Sequence, residues 1–573
     1  MRVTRCIASI LWTMAIGALV CVAASTSALA ARTDRALERA ANGRPQMVDV
    51  IVQTPDRPTF EDRTLVGAFG GEAGLPFSSI NGFPARVPSP ALKGLANNPR
   101  FSSLSLDAPM KSFWDRNAVR PPVGAPEAFA TYGATGAGVG VAVVDSGVAN
   151  HEDFSNGVNS SIRGFVDFVG DTDKKLIDPY GHGTHVAGIL AGHGSAVDRF
   201  SGIAPGSSLY ILRVLDGNGR GTVSNVLRAL DWIRHNAAAH NIRIVNLSLG
   251  HPVFEPYNSD PLCKAVEDLV RRGIVVVAAA GNYGLCDGAE CYGGITVPGN
   301  SPYAITVGAM NPRGTASRVD DVMARFSSRG PTFVDGIVKP DIVANGVFSV
   351  SMTSPGSYFE TRYGELEVSS TEYDASVGSG DYFLLSGTSM AAPVVSGIAA
   401  MMLQKNPSLT PNLVKAILMY TAEDRGYDIM TQGAGYVNAP GAVEVAESIT
   451  TNPTSVGDGE YWLTSPLSGS STIDGQGVLW TGRLLFTTSI LTSSSQNPIV
   501  GYNFEELWGQ GVLWNYMQTV YSYEFDDLDI ESSAVYWTGG VSSFSVLWTS
   551  WQTQSASDLI YSEGYRWDGK KNR

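Results

Sequence analysis

The chain has 573 residues, 44% hydrophobic and 16% charged. That composition excludes a disordered or fibrous protein and suits a globular one. A formal net charge of −14 argues against a nucleic-acid partner, and the length leaves room for about three or four domains.

Residues 1–30 are read as a targeting segment. Arg2 and Arg5 give a positive start, Ile7 to Ala24 is mostly apolar, and Ala28-Leu29-Ala30 is a small-residue cleavage pattern. These features predict a secretory signal peptide cut after Ala30, and a secreted protein, extracellular or at the cell surface. The apolar run is short for a membrane span, and no later stretch is long and apolar enough for one. Cys6 and Cys21 leave with this segment. Cys286 and Cys291 are near enough in sequence to close a small loop after export, and Cys263 lies in a helical pattern as a small buried hydrophobe.

Residues 31–112 read as a small α+β unit. Val48–Gln53 and Phe77–Phe83 are expected strands, Pro90–Ala96 a short helix, and Phe101–Leu106 a third strand. A pro-segment that assists folding and a permanent N-terminal domain both fit these residues taken alone.

From Gly136 the chain alternates strands and helices. Gly138–Val144 is a continuous apolar run of the kind buried on both faces of a parallel sheet, and it ends at Asp145. Leu209–Val214, Ile242–Leu247, Ile274–Ala280 and Ala304–Val307 repeat the pattern. Thr222 or Ser224 caps a helix to about His240. Asp260 caps the next, with Pro261 in its first position and Gly273 after its last turn. This alternation predicts an α/β fold, a doubly wound parallel sheet with helices on both faces. Functional groups in such sheets collect at the carboxyl ends of strands, where Asp145 and Asn282 stand.

The chemistry centres on Gly387–Pro393, G-T-S-M-A-A-P. Ser389 sits among small residues ahead of a helical run, and Pro393 is expected in the first turn, where its missing N–H is harmless. A hydroxyl at a helix N-terminus suits attack on a carbonyl that leaves an oxyanion beside it. His182, in G-H-G-T-H-V-A-G at 181–188, is a Gly-flanked base at a helix start. His185, three residues on, lacks the further ligands a zinc site needs and is expected to be a packed, hydrogen-bonded residue. Asn282 closes V-V-V-A-A-A-G-N. It is either a turn residue or an amide donor to an oxyanion, with the Ser389 N–H as a second donor.

Taken in order, Asp145, His182, Asn282 and Ser389 follow the Asp…His…Ser sequence of subtilisin. The chain resembles the subtilisin-like serine proteases (subtilases) through V-A-V-V-D-S-G at 141–147, the two motifs above, S-L-G at 248–250, F-S-S-R-G-P at 326–331 and K-P-D-I-V-A at 339–344. The resemblance covers about residues 115–445. It implies a serine endopeptidase with Asp145, His182 and Ser389 as triad, Asn282 in the oxyanion hole, and Ser248, Leu249 and Gly250 along the substrate backbone. It favours reading residues 31–112 as an inhibitory, self-cleaved propeptide ahead of a catalytic domain at 113–450. The expected partners are protein or peptide substrates and the chain's own propeptide, on a monomer. No cofactor is required. Calcium is common in the family as a structural ion, and Asp153 matches one such position, though a surface aspartate fits as well. Thr296 and Val297 are placed near the floor of the first specificity pocket, which carries no charge there and points to apolar or aromatic side chains before the cut. An inactive scaffold with a surface- or polysaccharide-binding tail is the alternative.

Residues 353–383 are longer and more polar than a compact catalytic domain of this kind needs, and read as a loop or hairpin beside the cleft. Residues 451–573 hold eight of the eleven tryptophans. G-Q-G-V-L-W occurs at 475–480 and 509–514, a degenerate repetition that predicts short strands. Their tryptophans are expected to fill a small β unit or pack on the catalytic domain.

Overall fold

The structure, a computed structural model, describes residues 45–112 and 123–482, apart from 156, 158, 171–175, 195–199, 287, 316–317, 370–380, 452–463 and 466. It also describes positions 32–33, 37 and 40–41, and the backbone of an antiparallel hairpin of Tyr536–Ser542 with Ser545–Gln552. The segment expected to be a signal peptide and most of the tail lie outside the described residues. The chain divides into two compact units, one ending at Asp107 and one starting at Ala108.

The first unit is a sheet of five strands. Met47–Gln53 pairs antiparallel with both Gly82–Pro88 and Ser103–Leu106. Val50, Val52, Phe83, Val87 and Leu104 bury their side chains with Leu92 and Leu95 of the short helix Leu92–Ala96. The strand expected at 77–83 begins instead at Gly82. Residues 77–82 form the turn before it, with Phe77 N–H donating to the Gly82 carbonyl. A helix at Phe60–Ala68 also appears. Thr59 caps it with a reciprocal Thr59–Asp62 capping box.

The second unit carries the α/β alternation. In chain order it runs α1 (Ala125–Tyr132), β1 (Gly140–Asp145), β2 (Ile162–Asp167), α2 (His182–Ala191), β3 (Ser208–Arg213), α3 (Val223–His240), β4 (Ile242–Leu247), α4 (Pro261–Arg271), β5 (Val275–Ala279), β6 (Ile305–Asn311), β7 (Val322–Met323), β8 (Ile342–Asn345), α5 (Thr388–Lys405), α6 (Pro411–Tyr420) and α7 (Ala439–Ser448). The sheet has the order β7-β6-β5-β4-β1-β3-β2 with β8 beside β6. Every pairing is parallel except β6 with β7. All residues of β1 and β5 are buried, as strands covered on both faces must be. The predicted caps are in place: Thr222 accepts from Asn225 N–H, and Asp260 from Cys263 N–H. Helix α5 is apolar and small-sided all round and buried from Thr388 to Leu403, as a central helix must be.

Pro109–Ser112, assigned from sequence to the N-terminal unit, is a strand of the second unit. Residues 464–482, assigned to the tail, pack on the same body. Their hairpin, Ser470–Ile473 with Gln476–Leu479, leads into Trp480, whose indole covers Gly441 so closely that a Cβ there would fall 2.8 Å from Nε1. Trp480 Nε1 donates to Ser471 Oγ (2.9 Å). Thr481 and Gly482 N–H donate to the carbonyls of Ala422 and Tyr420. The first G-Q-G-V-L-W copy is thus part of the second unit, and its alternation puts Val478 and Trp480 inward and Leu479 outward. Replacing this buried tryptophan, Trp480→Ala, is expected to lower unfolding free energy by about 3–5 kcal/mol, the range for large-to-small changes at buried aromatics. Denaturant unfolding measures it, and a loss below ~1 kcal/mol would contradict the packing described.

Candidate active site

β1 delivers Asp145 at its carboxyl end, and α2 begins at His182. Asp145 Oδ1 accepts from its neighbour Ser146 N–H (2.7 Å) and lies 2.7 Å from His182 Nδ1. Both side chains are fully buried. The close approach of strand end and helix start depends on Gly183, where a Cβ would come within 2.3 Å of the Gly147 carbonyl and 3.2 Å of Asp145 Cβ. A helix start leaves N–H groups without intrahelical partners. Here Asp178 takes them: Oδ1 accepts from Gly181 N–H (2.8 Å) and Oδ2 from Thr184 N–H (2.8 Å). Ser146 Oγ accepts from Gly183 N–H (2.9 Å). The imidazole therefore sits on a helix start whose Gly181, Gly183 and Thr184 N–H groups are bonded, and its Nε2 has no hydrogen-bond partner among the described residues. Asp178 was not singled out from sequence; only its place before G-H-G hinted at a cap.

Ser389 is the second residue of α5 and is fully buried. Its Oγ donates to the Ser248 carbonyl at 3.1 Å. Pro393 is the sixth helical residue, so the expectation of a first-turn proline is corrected. Its absent N–H falls where a helical bond would otherwise form.

Asn282 follows β5. Its Oδ1 accepts from both the N–H and the Oγ1 of Thr388 (3.0 and 3.1 Å), and Thr388 Oγ1 in turn accepts from Gly281 N–H (3.1 Å). Two donors on the carbonyl end fix which way the amide faces. Its Nδ2 is buried with no partner among the described residues. Thr388, which the sequence reading passed over inside G-T-S, is the residue that orients it.

Ser248, Leu249 and Gly250 lie beside Ser389. Leu249–Gly250 is an edge that pairs antiparallel with Pro109–Ser112, Leu249 facing Ser112 and Gly250 facing Lys111. On its other side that strand pairs with Arg220–Thr222. An extended backbone is thus clamped between two edges, and it runs toward Ser248 and the serine. Thr296 and Val297 are buried, and Val297 exchanges backbone hydrogen bonds with His251, next to Gly250.

His185 is buried with Nε2 3.0 Å from the carbonyls of Ser349 and Phe383. Burial pushes its pKa down to about 3, so it stays neutral and structural. The 353–383 stretch forms the short helix Tyr358–Arg362 and a strand, Glu367–Ser369, paired with Asp381–Leu385. Phe359 and Tyr358 pack on Tyr180 (ring centroids 4.5 and 5.7 Å), which lies 6.2 Å from the His182 ring. Asp381–Leu385 also carries Tyr382, whose hydroxyl bonds to Asp153. Asp153 is fully buried, not a surface residue. The rings of Phe200 and His151 stand 4.7 and 5.6 Å from that of Tyr382. Calcium takes six to eight oxygen ligands, and these aromatic surroundings do not fit it. Cys286 and Cys291 form a disulfide, and Cys263 is buried and reduced.

An imidazole held by a buried carboxylate, with an alcohol at a helix start on the same rim of the sheet, is the chemistry of serine hydrolases, and comparisons with known proteins narrow that class. The profile described as "Subtilase family" matches residues 136–437. Serine protease AprX of Bacillus subtilis (strain 168) is 42% identical over 316 residues, covering 54% of this chain and 67% of that protein. Subtilisin E of the same organism is 31% identical over 387 residues, covering 67% of this chain and 86% of its own length. Among solved structures, fervidolysin from Fervidobacterium pennivorans, described as a keratinolytic enzyme related to subtilisin, aligns with a TM-score of 0.55 at 23% identity. That alignment covers 72% of this chain and 63% of fervidolysin, and it supports the fold alone. The chain belongs to the subtilase family, the subtilisin-type serine proteases of family S8. No helix among the described residues is long and apolar enough to cross a membrane.

Proposed function

We propose that the protein is a secreted serine endopeptidase made as a self-processed zymogen, working through Asp145, His182 and Ser389 with an Asn282-assisted oxyanion hole. The observation that carries this reading is the Asp145–His182 pair at 2.7 Å, whose outer ring nitrogen has no partner among the described residues, on the rim that holds Ser389.

In this mechanism Ser389 Oγ attacks the scissile carbonyl as its proton passes to His182 Nε2. The C–O bond forms as the carbonyl π pair moves onto oxygen. Asp145 fixes the Nδ1–H tautomer and stabilises the imidazolium. Asn282 Nδ2 and the Ser389 N–H take the oxyanion. Collapse of the tetrahedral intermediate breaks the C–N bond, His182 returns the proton to the amine, and water then hydrolyses the acyl-enzyme by the same steps. At rest the serine hydroxyl is turned to the Ser248 carbonyl, so reaction begins with its rotation toward Nε2. An active-site hydrogen bond that tightens only with substrate bound is common.

A substrate strand would add to Leu249–Gly250 as Pro109–Ser112 does. That strand follows the N-terminal unit directly and supports its reading as an inhibitory propeptide. The uncharged Thr296–Val297 floor supports a preference for apolar or aromatic residues before the cut. N-terminal sequencing and mass of the secreted form, with a casein assay, test the proposal. The expected result is an active protein starting between residues 112 and 125. Full activity in a protein that keeps residues 31–112 covalently attached would overturn the zymogen reading, and no hydrolysis by the processed form would overturn the peptidase reading.

A further inference from the structure

Helix α5 contains Pro393. In an α-helix the carbonyl at position i accepts from the N–H at i+4, and proline has none. The carbonyl so deprived is that of Ser389. A group outside the helix serves it: Ser248 Oγ donates to the Ser389 carbonyl at 2.8 Å. That hydroxyl accepts from Asn246 Nδ2 at 3.0 Å, and Asn246 Oδ1 accepts from Ser396 Oγ at 2.9 Å. All four residues are fully buried.

The three donations run in one direction, from Ser396 through Asn246 and Ser248 to Ser389, and such chains strengthen cooperatively at low dielectric. A hydroxyl has one proton to give. Ser248 gives it to Ser389 because Asn246 presents its NH2 end. With the amide turned over, Ser248 would donate to Oδ1, and the Ser389 carbonyl would lose that donor. Ser396 selects the working orientation by donating to Oδ1. Positions 389, 393 and 396 share one helix face, about two turns long, so the proline that opens the gap and the serine that fixes the amide lie on the side facing β4.

We propose that Asn246 and Ser396 are positioning residues for the nucleophile. They set the hydroxyl of Ser248, and through it the backbone of Ser389. Since Ser389 Oγ bonds back to the Ser248 carbonyl, the same chain registers the serine against the cleft wall at Ser248–Gly250. The inference rests on Ser389 being the nucleophile.

The test is a double-mutant cycle on the processed protein. It reads the rate of labelling by a fluorophosphonate probe, kcat and KM on a peptide substrate, and the unfolding midpoint. Ser396→Ala is expected to slow labelling and lower kcat roughly tenfold with KM within about twofold. In a Ser248→Ala background the same change should alter the labelling rate by less than about twofold, because its route to Ser389 is already cut. A merely structural role would lower the unfolding midpoint and act equally in both backgrounds. Equal factors in the two backgrounds, or no fall in the parent, overturn the proposal. If Ser396→Ala does not fold, Ser396→Cys keeps a weak donor at similar volume and should slow labelling roughly threefold; an unchanged rate overturns it too. A parent protein that the probe fails to label sinks the nucleophile assignment itself, whereas a labelled parent with equal losses sinks only this network.

Discussion

Replacing Ser389 by alanine is expected to reduce peptide hydrolysis by on the order of a millionfold in kcat, the scale of removing the nucleophile from an enzyme of this kind. Folding should survive. Ser389 stands in a buried helix of small residues, and alanine is the best helix former. The bond lost is Oγ to the Ser248 carbonyl at 3.1 Å, and that carbonyl belongs to the cleft wall, not to the sheet. The bond that arranges the backbone, from Ser248 Oγ to the Ser389 carbonyl, does not involve the deleted hydroxyl. A residual rate from a preserved oxyanion site and substrate alignment is expected. Kinetics on casein or a chromogenic peptide measure the loss. A variant within tenfold of the parent would mean that another group attacks the carbonyl.

Replacing Asn282 by leucine should lower kcat by ~100- to 1000-fold with KM nearly unchanged. The expectation follows from how the amide is held. Thr388 places two donors on Oδ1, which leaves Nδ2 as the outward end, buried and without a partner among the described residues. A buried donor left unpaired is costly, and charge that develops nearby in a transition state repays it. A ground-state carbonyl gains less, so the effect belongs in kcat. A rise in KM with kcat intact would show that Asn282 is a turn residue that shapes the cleft and does not meet the oxyanion.

Much of the sheet was readable because its strands are buried on both faces. Runs such as V-A-V-V at 141–144 and V-V-V-A-A at 275–279 fit the interior of a parallel sheet. Thr222 and Asp260 were legible as caps because capping is local chemistry. The helix at Phe60–Ala68 was not anticipated, although T-F-E-D carries its capping box. The strand at Gly82–Pro88 was masked by Pro84 and Pro88, which argue against strand until the partners are known. The packing of residues 464–482 on the second unit was not legible, because tryptophan content marks a change of composition and says nothing of what the rings touch. Asp153 could not be placed from sequence, since its burial is completed by Tyr382, 229 residues further on. Of the candidate site, Asp145, His182, Asn282 and Ser389 were legible because they stand at strand or helix ends. What holds them, Asp178, Thr388, Asn246 and Ser396, was not, because those roles come from contacts between distant segments and carry no local signature.

The central claim, that one alcohol in this chain is activated by the imidazole across the rim from it, has a direct test. The processed protein is treated with a fluorophosphonate, digested, and the adduct located by mass spectrometry, with the labelling rate followed in parent and variants. The account predicts a single adduct on Ser389, absent after Ser389→Ala and nearly absent after His182→Ala. Labelling at another residue, or labelling of Ser389 that is indifferent to the loss of His182, would contradict it.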